Sequence, residues 1–190
     1  MLGTSKDIKN PGLNILPPGV ERHVVNGGAL TAFQIFPDDE LEIINNEGNQ
    51  ICEIICFNKD GKSDAGILNL KTNNDKNFIR SILNGKDETI LATNHQLKKR
   101  NLNISESKSS IIFDLDTKAG ESFKLKSKDK CYAIFAAPSE DMDVTNQNPP
   151  SDLTIFIKRS QIVNDKELNV IPDPVFEPLN EENINKETSI

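Results

Sequence analysis

Glu53 is the residue best placed to do chemistry. In Ile51-Cys52-Glu53-Ile54-Ile55-Cys56-Phe57 a strand's period of two puts its carboxylate on the face shared by Ile51, Ile55 and Phe57. An ionised carboxylate on an apolar face is costly to bury. It must therefore be paired, protonated, or set at a rim where a general acid or base could work, and Glu53 is the one catalytic candidate. The three cysteines, Cys52, Cys56 and Cys131, are the next candidates. Cys52 and Cys56 point to one face of the same strand but stand roughly 13 Å apart at about 3.3 Å per residue, so they cannot share one ion. Either could meet Cys131 from another strand, which would leave the third thiol over. All three read as small buried hydrophobes. A cupin-like metal barrel needs several imidazoles, and His23 and His95 are the only two histidines; both read as ordinary surface or turn residues. No metal ligands are assigned. The sequence also lacks a Gly-rich phosphate loop before a helix, a Gly-x-Ser-x-Gly elbow, His-Glu-x-x-His and Cys-x-x-Cys.

The elements that would position Glu53 are short apolar runs between turn signals. Glu21 to Val25 ends at Asn26-Gly27-Gly28, Leu30 to Phe36 at Pro37-Asp38-Asp39, and Leu41 to Ile44 at Asn45-Asn46-Glu47-Gly48. A long strand at Gln50 to Asn58 follows, with a shorter one over Gly66 to Leu70. The second half adds Ser110 to Leu115, Glu121 to Lys126, Cys131 to Ala137 and Leu153 to Lys158. This spacing predicts a mainly β chain, an antiparallel barrel or sandwich. In Glu121 to Lys126, Phe123 and Leu125 alternate with polar residues, as on a strand with one buried face. Asp75 to Leu83 breaks the pattern. Phe78, Ile79, Ile82 and Leu83 at helical spacing, with Asn74 or Asp75 as N-cap and Asn84-Gly85 as the stop, predict one short helix. Lys98-Lys99-Arg100 reads as a solvated turn.

Three regions follow. Residues 1–19, with Pro11-Gly12 and Pro17-Pro18-Gly19, read as an extended N-terminal arm, residues 20–159 as the β-rich domain, and residues 160–190 as a Pro-rich acidic linker or tail. At 190 residues, 36% hydrophobic and 27% charged, one core is expected. The net charge of −7 lies mostly in the tail, where Asp165, Glu167, Asp173, Glu177, Glu181, Glu182 and Glu187 face only Lys166 and Lys186. The near-neutral body has no Trp and one Tyr and lacks the basic footprint that nucleic acid needs. No apolar run spans a bilayer and no leader is evident, so no membrane partner is expected. An odd number of cysteines fits a reducing cytoplasm.

The stretch Asp39-Glu40-Leu41-Glu42-Ile43-Ile44-Asn45-Asn46-Glu47-Gly48-Asn49-Gln50-Ile51-Cys52-Glu53-Ile54-Ile55-Cys56-Phe57-Asn58 resembles the opening hairpin of the urea carboxylase-associated family. Members show a strand, then Glu-Gly-Asn-Gln or Glu-Gly-Arg-Gln, then a strand that carries an acid and ends in Ala-Phe. Pro172-Asp173-Pro174-Val175-Phe176-Glu177-Pro178-Leu179, followed by Ile184 to Ile190, is similar to the segment leading into a second domain of this family. That arrangement occurs in multidomain proteins ending in a glycine-cleavage T-protein-like (aminomethyltransferase) region, among them trimethylamine N-oxide demethylases. The resemblance implies a parent protein that demethylates a methylated amine or amine oxide. A zinc or iron site in its middle domain would release formaldehyde, and a tetrahydrofolate domain would capture it. The partners implied are those downstream metal-binding and folate-binding domains, in the same chain or another, and a homo-oligomer is expected. Glu53 stands where the family carries Asp, and Ile51 where metal-associated members carry Cys in Arg-Gln-Cys-Ser-Asp. No catalytic, metal or cofactor role is therefore carried over, and the domain reads as an accessory copy for packing or assembly. A stand-alone metal-dependent protein of this family and a non-catalytic small-molecule-binding or oligomerisation β-domain stay open beside it.

Overall fold

A computed structural model describes residues 16–72, 78–84, 88–102, 104–139 and 149–160. Its strands are β1 (Val20–Val25), β2 (Leu30–Ile35), β3 (Glu40–Asn45), β4 (Cys52–Phe57), β5 (Ser110–Phe113), β6 (Glu121–Lys126), β7 (Cys131–Ala136) and β8 (Leu153–Lys158). They form two four-stranded sheets ordered β1-β8-β3-β6 and β2-β7-β4-β5, antiparallel throughout. The strands are shared between the sheets in the manner of a jelly roll, and no ladder joins the two sheets. The fold is a sandwich and not a barrel.

Two cores result. The first fills the space between the sheets, with Ile35, Leu41, Ile43, Ile54, Phe135, Leu153, Ile155 and Ile157 buried. The second lies on the outer face of the β2 sheet, where Ala32, Ile55, Phe57, Ile134 and Ala136 meet Ile79, Leu83, Leu97 and Leu102. The residues that cover this face come from the connection between β4 and β5. That connection holds two α-helices, α1 (Phe78–Leu83) and α2 (Glu88–Lys99). The expectation of a single helix is therefore corrected. Lys98 and Lys99 close the last turn of α2, and Arg100 lies over the Tyr132 ring at 5.8 Å. The strand expected over Gly66 to Leu70 is instead a 3-10 turn at Ala65–Leu68. Asp64 caps its start by accepting from Gly66 N, and Asn69 ends it in the left-handed region at φ 58°. An Asx cap followed by a left-handed Asn closes a turn, which no sheet edge can use.

Half of the expected alternation in β6 holds. Leu125 is buried, but Phe123 on the same face is 37% exposed, because β6 is the edge of its sheet. Of the N-terminal arm only residues 16–19 are described, and of the acidic tail only Ser160; the rest of both lies outside the described residues. No helix among the described residues is long and apolar enough to cross a membrane.

Candidate functional site

β4 is buried on both faces, and the two faces have different neighbours. Cys52, Ile54 and Cys56 point between the sheets, while Ile55 and Phe57 point into the helix-covered core. Glu53 shares that second face and has no exposed surface. Its Oε2 accepts the backbone N–H of Ile79 at 2.6 Å. This N–H belongs to the second residue of α1 as described, so the carboxylate ties the helix to the sheet. Beside it the β4–β5 register shifts, from Cys52 opposite Phe113 to Glu53 opposite Ile111. Glu53 is thus a paired acid under a helix rather than an acid at a rim.

The cysteines are all reduced and buried. Burial first, and then the charge of Glu53, pushes the Cys52 thiol well above its ordinary range. Cys56 is hydrogen-bonded to the thiol of Cys131, which reaches it from β7. That bond, burial, and the charges of Cys131 and Asp64 drive its titration upward too. Protonated thiols are poor nucleophiles and poor metal ligands. Among the described residues no three or more His, Cys, Asp or Glu side chains gather to hold a metal. The described residues thus offer no donor set for the zinc or iron that the resemblance implies. His23 and His95 lie on different elements. His23 on β1 is half-buried, its ring 4.3 Å from that of Phe33 and its Nε2 3.0 Å from Glu21 Oε2, whereas His95 is exposed on α2.

The residues that carry the family resemblance build a corner at one end of the sandwich. Asn45 Nδ2 donates to the Gln50 carbonyl at 2.8 Å. Gln50 Nε2 donates to the carbonyls of Ile51 and Pro138, both at 3.0 Å, and its Oε1 accepts from Ser151 N at 2.7 Å. One buried amide therefore holds both sides of the connection from β7 to β8. Gly48 adopts φ 79°, and a Cβ there would lie 2.6 Å from Ala119 N, so the turn tolerates no side chain. Asn49 N donates to Thr117 O, and Gly120 N to Asn45 O. The motif is read out as backbone pairing, without an open site.

The other end holds a network whose pairing the sequence does not reveal. Arg159 donates to both Glu21 oxygens at 2.7 and 2.9 Å, to Asp39 Oδ2 at 2.7 Å and to the Gln34 carbonyl at 3.0 Å. Asp39 is 1% exposed and also accepts from Phe36 N and Ser160 N. Burial pushes the Glu21 carboxyl up, but hydrogen bonds from His23 and Arg159 and their charges outweigh it and hold the pKa at about 2. The visible signal was Asp39 after Pro37 in the turn before β3, the position from which a carboxylate binds nearby backbone N–H groups. Cavities open elsewhere among the described residues. A groove of about 770 Å³ crosses the outer face of the β1 sheet, lined by Leu16, Val20, Phe156, Lys124, Lys126 and Lys158 among others. A pocket of about 640 Å³ lies beside the helices near Arg80, Asn94 and Lys98. Glu53 lines neither.

No protein-family profile matches the chain. It is 30% identical over 172 residues to trimethylamine-oxide aldolase of Ruegeria pomeroyi, a match that covers 90% of this chain and 22% of that protein. Among solved structures, a DUF1989 family protein from Silicibacter pomeroyi aligns with a TM-score of 0.42 at 10% identity, over 87% of this chain and 86% of that one. The chain is thus related along most of its length to about a fifth of an enzyme named for trimethylamine oxide.

Proposed function

We propose that this chain is an accessory domain, used for packing and assembly, of an enzyme that demethylates trimethylamine N-oxide or a similar methylated amine. The observation that carries this reading is the match of nine-tenths of the chain to 22% of trimethylamine-oxide aldolase. The site chemistry supports it. The one candidate acid is bonded to α1, the Cys52 and Cys56 thiols are held protonated, and the motif residues are engaged in pairing strands and loops. In this reading formaldehyde release at a zinc or iron centre and its capture by tetrahydrofolate belong to the other domains. Those domains, in the same polypeptide or a neighbouring one, are the domain's partners, within a homo-oligomer in the cytoplasm.

A domain exchange in the Ruegeria pomeroyi relative tests the proposal. Removing the matching 22% is expected to destroy the assembled enzyme, as read by light scattering and by formaldehyde release from trimethylamine N-oxide. Inserting this chain in its place is expected to restore the assembly. A deletion that assembles and turns over like the intact enzyme would remove the assembly role.

A further inference from the structure

The outer face of the β1 sheet carries mostly half-buried or exposed side chains, apart from Thr154. Its rows run Val20, Lys158, Glu40, Lys126 and then Arg22, Phe156, Glu42, Lys124 across all four strands. The groove takes in these rows except Arg22, is also lined by Leu16 and Pro17, and reaches Leu68, Asn69 and Phe123 at the β6 edge. Half-buried Phe156, Val20 and Leu16 give it an apolar floor, and Lys124, Lys126 and Lys158 give it three basic side chains at the rim. The rim acids Glu42 and Glu40 already face Lys124 and Lys158 at 3.6 and 3.1 Å.

We propose that the chain's own C-terminal segment, residues 161–190, docks in this groove. The chain leaves β8 at the groove's end. Lys158 lines it, and Ser160 is fixed two residues later by its N–H to Asp39 Oδ1 at 2.9 Å and its Oγ to the Pro37 carbonyl at 2.7 Å. Thirty further residues follow, while four strands at about 4.8 Å spacing are only about 15 Å across, so reach is ample. The chemistry is complementary on two counts. The segment carries seven acids against two lysines, opposite a rim with three lysines. It also holds Val175, Phe176 and Leu179 around Pro174 and Pro178, a Pro-rich sequence of the kind that aromatic-floored grooves bind at low entropic cost.

The chain contains no Trp, so Phe176→Trp in the full chain is a unique reporter. Its emission is expected to be blue-shifted from that of the urea-unfolded chain, with acrylamide quenching reduced severalfold. Lys124→Glu with Lys126→Glu is expected to abolish that shielding while the circular dichroism and Tm of the sandwich stay unchanged, since both lysines are exposed and their ion pairs are weak. Phe156→Asp, a second probe of the floor, is expected to abolish it as well. Full quenching of the indole in the Phe176→Trp chain, shielding that survives the charge reversal, or shielding that rises with protein concentration, as for a second copy, would each overturn the proposal.

Discussion

The outer faces of the two sheets are built on opposite plans. That of the β2 sheet lies under two helices, with Phe57, Ile134 and Ala136 fully buried and Glu53 sealed beneath them. That of the β1 sheet bears cross-strand charge pairs and a shallow apolar groove. The difference arises from one connection. The residues between β4 and β5 fold back over their own sheet, and among the described residues no equivalent reaches the other. A carboxylate under the helices has to be paired, and Glu53 is. One on the open face can stay in water, and Glu40 and Glu42 partly do. The covered face therefore adds a second core to the one between the sheets, whereas the open face carries only exposed pairs and a shallow groove.

The largest effect should come from the covered face. Phe57→Ala removes a ring with no exposed surface from beneath the helices and is expected to cost about 3–5 kcal/mol in urea unfolding. A loss below about 1 kcal/mol would mean that the helix layer is not packed as described. Glu53→Ala should follow, at about 1–3 kcal/mol, because it leaves the Ile79 N–H without the side-chain acceptor that holds it to β4. Hydrogen exchange at the Ile79 amide should speed up with it, and unchanged exchange would refute the anchoring role. At the Arg159 seam, acid should act through Glu21. Its folded-state pKa of about 2 lies below the ordinary 4.5, so the stabilisation is complete above about pH 4.5 and is lost as pH falls toward 2. Arg159→Met should flatten that limb of the urea midpoint against pH. On the open face, Lys124→Ala should change stability by no more than about 0.5 kcal/mol, since its pair with Glu42 is solvent-exposed; a cost above about 1 kcal/mol would show that this face is structurally committed.

Much of the sandwich was legible because its strands alternate at a period of two and end in turn residues that admit one reading, as with Asn26-Gly27-Gly28 after β1. The face that Glu53 shares with Ile55 and Phe57 was legible for the same reason. What covers that face was not. Glu88–Lys99 contains Thr89, Thr93, Asn94 and His95, which favour a helix weakly, and its described anchor, Leu97, is held by a sheet formed from distant sequence. Glu53 and Ile79 are separated by 26 residues, and Asp39 and Arg159 by 120, so no local spacing reports either bond. Cys56 and Cys131 could be suspected as neighbours, but only the β4–β7 register brings them together.

The most direct test of the accessory-domain reading is turnover by this chain alone. Purified protein, with and without added zinc or iron, is incubated with trimethylamine N-oxide and assayed for formaldehyde. No release above the buffer blank is expected under any condition, and Glu53→Gln should change only stability. Formaldehyde release that disappears in Glu53→Gln at a temperature where the variant is folded would place a working site in this domain and contradict the account.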